Sequence, residues 1–172
     1  MRALFGGRRR SVFGHGKELG AYRNELHERA QRIDSRLAQV SDEIDAVRRK
    51  DIDPETAIDR LTGHEEALED ESEGLQAMLA PEELHGLHME LEANLERSIR
   101  GLLVVERGCA ITRLPHRPPE DEEPHVYYKR GAANVTHARK RIAEIVDVLL
   151  NWEPGKPAEA TVAARLERAK KT

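Results

Sequence analysis

The sequence predicts an all-α protein: an antiparallel four-helix bundle built on long coiled-coil-like helices, with a short extra helix at the C-terminus. Three observations carry this. Of the 172 residues 35% are charged and only 3% aromatic, with Leu, Ile, Val and Ala filling most apolar positions, which is a composition of long amphipathic helices rather than sheets. Apolar residues recur at alternating steps of three and four. The prolines stand between those periodic stretches, at Pro54, Pro81, Pro115 to Pro124, and Pro154. A chain of this length is expected to bury one core.

Residues 1–16 combine Gly6, Gly7, Gly14 and Gly16 with Arg2, Arg8, Arg9 and Arg10 and show no sustained period, so they are read as a flexible basic N-terminal arm. The bundle domain is assigned to residues 17–152. Its first helix is expected from Leu19 to about Lys50, on the seam Leu19, Tyr22, Leu26, Ala30, Ile33, Leu37, Val40, Ile44 and Val47. A helix that long needs a partner. The partner starts at once, because Asp53 is a good N-cap and Pro54 suits the first helical position. The short connection implies a helical hairpin.

The second helix presents Ile58, Leu61, Leu68, Leu75 and Leu79, with Glu65 and Ser72 where further apolar residues would be expected. From Asp53 to Glu73 it carries nine Asp or Glu against the single Arg60, a solvated face expected to meet the arginines of the first helix. Pro81 resets the chain. The third helix is expected over residues 82–113, with Leu84, Leu87, Leu91, Leu95, Ser98, Leu102 and Val105 as its seam. Its second half broadens to Ile99, Leu103, Val104, Cys109, Ala110 and Ile111, where Gly101 and Gly108 invite close approach of a neighbour, or a kink. The proline-rich acidic stretch after Leu114 is an extended loop. The fourth helix has the cleanest seam: Val135, Ala138, Ile142, Ile145, Leu149 and Trp152. Residues 153–172 form the short C-terminal helix or tail, opened by Pro157.

One stretch raises the question of chemistry, EELHGLHMELE at residues 82–92. Glu82 and His85 have the spacing with which a Glu and a His one turn apart bind a single metal in carboxylate di-metal bundles. At about 100° per residue, His85, His88 and Glu92 share one stripe of the helix. The metal candidates are therefore His85, His88, Glu92 and Glu82. A di-metal site needs a second such pair and two more Glu residues, and only Glu122 with His125 repeats the spacing, interrupted by Pro124. The apolar arc puts His88 about 50° and His85 about 110° off centre. His88 is thus expected at the border of the core and His85 in water, a placement that needs no metal.

No signature of a hydrolase, phosphate-binding loop or dinucleotide fold occurs. Cys109, the single cysteine, sits in an apolar stretch and is expected to be an inert thiol with no disulfide. A net charge of −4 gives the molecule as a whole no field suited to nucleic acid. The paired arginines followed by Ser11, Val12 and Phe13 lack the apolar run of an export signal, which makes the cytoplasm the expected compartment. Leu4, Phe5, Val12 and Phe13 among arginines would let residues 2–13 touch an anionic membrane surface.

The run LQAMLAPEELHGLHMELEANLERSIRGL, followed after the loop by YYKRGAANVTHARKRIAEIVDVLLNW, resembles uncharacterised bacterial helical-bundle proteins in which a Pro-Glu-Leu break and a Leu-His pair open the third helix. The resemblance covers about residues 20 to 152. It implies an α-bundle without activity, in which Pro81, Leu87 and His88 serve helix initiation and packing. The leading expectation is accordingly a non-enzymatic interaction or structural module, without cofactor or small-molecule substrate, that contacts a protein partner or a second copy. The alternatives are a metal-binding bundle using the His85, His88 and Glu92 cluster, and a peripheral membrane adaptor acting through the basic arm.

Overall fold

The computed structural model describes residues 12–158. They form α1 (Val12–Arg49), α2 (Pro54–Ala77), α3 (His85–Thr112) and α4 (Pro124–Asn151), with a 3-10 turn at Glu82–Leu84 leading into α3. Among the described residues there is no strand. The arm up to residue 11 and the C-terminal segment from residue 159 lie outside the described residues.

The seam of α1 is buried at Leu19, Tyr22, Leu26, Ile33, Leu37, Val40, Ile44 and Val47. The helix begins earlier than its apolar period, at Val12 rather than Leu19, and so takes in the last residues of the stretch read as an arm. Once a helix is nucleated, each added residue gains one hydrogen bond, and that growth needs no apolar partner. Its far end closes in a Schellman turn. Lys50 N–H donates to the Val47 carbonyl and Asp51 N–H to that of Ala46, with Lys50 at φ 64. This left-handed conformation disfavours any side chain by about 1–2 kcal/mol, and glycine is its usual occupant.

Asp53 caps α2 as its position predicts. Its Oδ1 accepts from the backbone N–H groups of Glu55 and Thr56 at 3.0 and 2.9 Å, and its Oδ2 from the Thr56 hydroxyl at 2.7 Å. Such a cap contributes about 1 kcal/mol. Ala57, Leu61, Leu68, Ser72 and Leu75 are buried, so Ser72 does hold a seam position. Leu79 corrects the expected seam: it is 94% exposed, while Met78 is buried in its place. The helix ends at Ala77 because Met78 turns extended ahead of Pro81, and a helical period has no meaning beyond that point.

All seven residues of the expected third seam are buried, Leu84 in the 3-10 turn and the other six in α3, as are Ile99, Cys109 and Ile111, whereas Leu103 is exposed. The helix passes through Gly108 and ends only at Thr112. Gly101 and Gly108 do serve close packing against α4. A Cβ on Gly108 would stand 2.8 Å from the Tyr128 ring and 2.9 Å from Tyr127 Cβ, and one on Gly101 would stand 3.2 Å from the Gly131 carbonyl oxygen. Gly131, on the facing helix, is tighter still: its Cβ would meet Val105 Cγ2 at 2.3 Å and the Gly101 carbonyl oxygen at 2.6 Å.

Each helix packs on the next in the chain, and α4 closes back on α1. The core is one cluster running through all four helices. Polar contacts tie neighbours at the rim. Glu71 of α2 takes both Arg29 and Arg32 of α1, Glu43 meets Arg60, and Asp34 of α1 pairs in a two-bond fork with Arg139 of α4. Of the acidic face of α2, Glu71 meets arginines of α1, while Arg60 reverses the charges with Glu43. Rim pairs of this kind, still in contact with water, contribute roughly 0–1 kcal/mol each, so burial of the seams holds the bundle.

Candidate functional site

The stretch singled out by its sequence opens α3 under the C-terminal end of α2. Pro81 holds the chain extended, the 3-10 turn buries Leu84, and one helical turn later His88 points inward. The carbonyl of Leu75 lies in the last turn of α2, where it accepts from the backbone N–H of Met78 at 3.0 Å and keeps a second lone pair free for another donor. His88 supplies that second donor. Its Nε2 is 2.9 Å from the Leu75 oxygen and 3.1 Å from Glu92 Oε1, one turn along α3. On the other side of the ring, Nδ1 is 2.9 Å from the hydroxyl of Tyr22 on α1, with the two rings tilted and 5.7 Å apart.

The Leu75 carbonyl fixes one proton. A carbonyl oxygen only accepts, so Nε2 carries a hydrogen and donates toward Leu75 and Glu92. In the tautomer with that single proton Nδ1 accepts, and Tyr22 donates to it. Burial, together with the nearby Glu92 carboxylate, pushes the Tyr22 phenol well above its ordinary value, which keeps that proton on the oxygen. Three helices thus meet at one imidazole with both nitrogens engaged.

Two sequence expectations change here. His88 is 2% exposed, not at the border of the core. A helical wheel counts apolar neighbours on its own helix, and the cover over His88 comes from Tyr22 of α1 and the end of α2. The metal candidates also separate. His88 and Glu92 are together, while His85 and Glu82 are exposed, Glu82 in the 3-10 turn. Among the described residues no group of three or more His, Cys, Asp or Glu could hold a metal ion. A metal on His88 would have to displace either the Tyr22 hydroxyl or the Leu75 carbonyl.

Comparison with protein-family models, curated proteins and solved structures returns no match. The geometry alone therefore bears on function.

A second polar group enters the core where sequence reading did not look. Glu106 of α3 lies half-buried against α2, with one long hydrogen bond from the Thr62 hydroxyl at 3.4 Å. Burial, reinforced by the charge of Glu65, raises its carboxyl to about 7. Glu65 itself is raised by burial and by Glu69 and Glu66. The available signal was a lone Glu inside LLVVERGCA, just as the signal at the other site was a Tyr on an apolar seam, whose hydroxyl needs a partner when buried. Cys109, next to Glu106 in the same half of α3, is fully buried and burial pushes its thiol up, the opposite of what a nucleophile requires.

Proposed function

We propose that this chain is a non-enzymatic helical bundle that acts as a structural or protein-interaction module in the cytoplasm. The observation that carries the reading is the engagement of His88. The one stretch whose spacing suggested chemistry spends both imidazole nitrogens on joining α1, α2 and α3. Outward, the same end of the molecule exposes apolar side chains at Leu79 and Met89. A partner's apolar surface would cover them.

The reading includes an antiparallel arrangement with coiled-coil-like seams. In its support, higher positions on one helix meet lower positions on the next: Arg29 with Glu71 and Glu43 with Arg60, or Gly101 with Gly131 and Gly108 with Tyr128. It also includes the division into an arm (1–16), a bundle (17–152) and a short C-terminal helix (153–172), and a kinship with bacterial bundles that open their third helix with a Pro-Glu-Leu break. No described helix is long and apolar enough to cross a membrane.

Photo-crosslinking tests the reading. Benzoylphenylalanine placed at Leu79 or Met89 in the full chain should yield a discrete protein adduct, either a second copy or a partner identified by mass spectrometry. The same probe at exposed Glu96 should not. Adducts of equal yield at all three positions would sink the proposal. Stoichiometric metal in the purified protein, lost with chelator together with thermal stability, would favour the metal-binding alternative instead.

A further inference from the structure

The far end of the bundle, about 37 Å from Tyr22 along α1 at 1.5 Å per residue, is open where the other end is filled. A cavity of about 700 Å³ lies between the turn joining α1 to α2 and the first turn of α4. We propose that it binds a small organic anion: a carboxylate or sulfonate carried on an apolar body.

The walls and the charges each argue for one half of that ligand. Val47, Ile52, Pro54 and Tyr128 give the cavity an apolar interior, and its size falls in the range of about 300–1,000 Å³ usual for small-molecule sites. The Tyr128 hydroxyl is occupied by Thr112 at 3.1 Å, so the floor makes no polar demand of its own.

Charge at the rim is lopsided once partners are assigned. Both rim carboxylates are engaged: Asp51 accepts from Arg49 at 2.8 Å, and Asp53 spends its two oxygens capping α2. Arg48 is likewise held by Asp45. Lys50 and Lys129 line the cavity, and neither has a carboxylate partner among the described residues. The cavity is therefore lined by two lysines without a carboxylate partner beside apolar walls, against two carboxylates that are already engaged.

Lys50 is the most telling of the two. It occupies the left-handed position of the Schellman turn, where glycine is the relaxed choice, and it brings a cation to the cavity from a strained backbone. The lining comes from three separate stretches of chain, residues 47–54, Thr112 and residues 124–129, so no single motif announced a ligand in the sequence.

The test uses the full chain and 1-anilinonaphthalene-8-sulfonate as a fluorescent probe, with octanoate, naphthoate, octanol and inorganic phosphate as competitors. Saturable binding of one probe per chain is expected. Octanoate and naphthoate should displace it and their relative strengths tell an alkyl from an aryl body, while octanol and phosphate should displace it poorly. Lys50→Gly combined with Lys129→Gln should weaken probe binding roughly tenfold, and added salt should weaken it in the wild type. Because Lys50→Gly relaxes the backbone, the variant should melt no lower than the wild type, which separates a lost site from a lost fold. Equal affinity in the variant, or equal displacement by octanol, would overturn the proposal. Equal displacement by phosphate would do so too, by reducing the site to non-specific charge. None of these outcomes bears on the crosslinking at Leu79, at the opposite end.

Discussion

The two halves of α3 solve the same packing problem in different ways. The first half meets α1 and α2 through a polar node, with His88 satisfied on both nitrogens and Glu92 closing it. The second half meets α4 through backbone proximity at Gly101, Gly108 and Gly131, and meets α2 through Glu106, whose one bond is long. A buried polar group that is fully satisfied fixes how helices register. One that is poorly satisfied is held only by the packing around it and responds to pH.

The largest effect is expected at the node. His88→Ala removes the ring, opens a cavity, and leaves the Tyr22 hydroxyl without its partner and the Leu75 carbonyl with only its bond from Met78 N–H, for a loss of about 3–4 kcal/mol in chemical denaturation. Tyr22→Phe removes a single donor and should cost about 1–2 kcal/mol. The comparison sharpens in the double variant. If the two residues act through one hydrogen bond, the losses fall short of adding; full additivity would mean that the node is packing alone.

Next comes the glycine interface. Gly131→Ala places a methyl 2.3 Å from Val105 Cγ2 and 2.6 Å from a backbone oxygen of α3. A side chain can rotate away, but the Gly101 carbonyl cannot without moving its helix. We expect a loss of about 2–3 kcal/mol. Gly63→Ala is the control, because nothing stands within 4 Å of its added Cβ, and it should stabilise α2 by up to about 1 kcal/mol. Equal melting temperatures for the two variants would show that the helices can part at no cost.

These residues also mark what was legible in the sequence. The α1, α3 and α4 seams, the Asp53 cap, the loop after Leu114 and the close approach at Gly101 and Gly108 follow from local rules of period, capping and size. The burial of His88 does not, because it depends on Tyr22, which is distant in sequence, and on a carbonyl, which every residue has. Gly131 was missed for a related reason: a lone glycine in a helical stretch looks like a weak propensity choice until the facing backbone is known. Leu79 misled in the opposite direction, because its spacing continues a period that the chain has already abandoned. The end cavity requires three separate segments to be assembled before it exists at all.

The smallest effect distinguishes the two halves by pH. The folded Glu106 carboxyl titrates near 7, above its ordinary value of 4.5, because burial and Glu65 disfavour the charge. Between those two values the folded protein holds a proton that the unfolded chain has released, so stability falls as pH rises through this window and levels off above about 7. The shift alone would be worth about 3 kcal/mol. Glu106 is only half-buried, and solvent screening reduces the figure to about 1–2 kcal/mol. Glu106→Gln keeps the shape and removes the charge. It should therefore be nearly neutral at pH 5 and stabilising by about 1–2 kcal/mol at pH 8, measured as the difference in urea unfolding between the two conditions. Glu65→Gln should give part of the same gain by removing the second contributor to the shift. A Glu106→Gln variant with the wild-type pH slope would show that the carboxylate is already solvated when the helices are packed, and the contrast between the two halves of α3 would then reduce to glycines against a histidine.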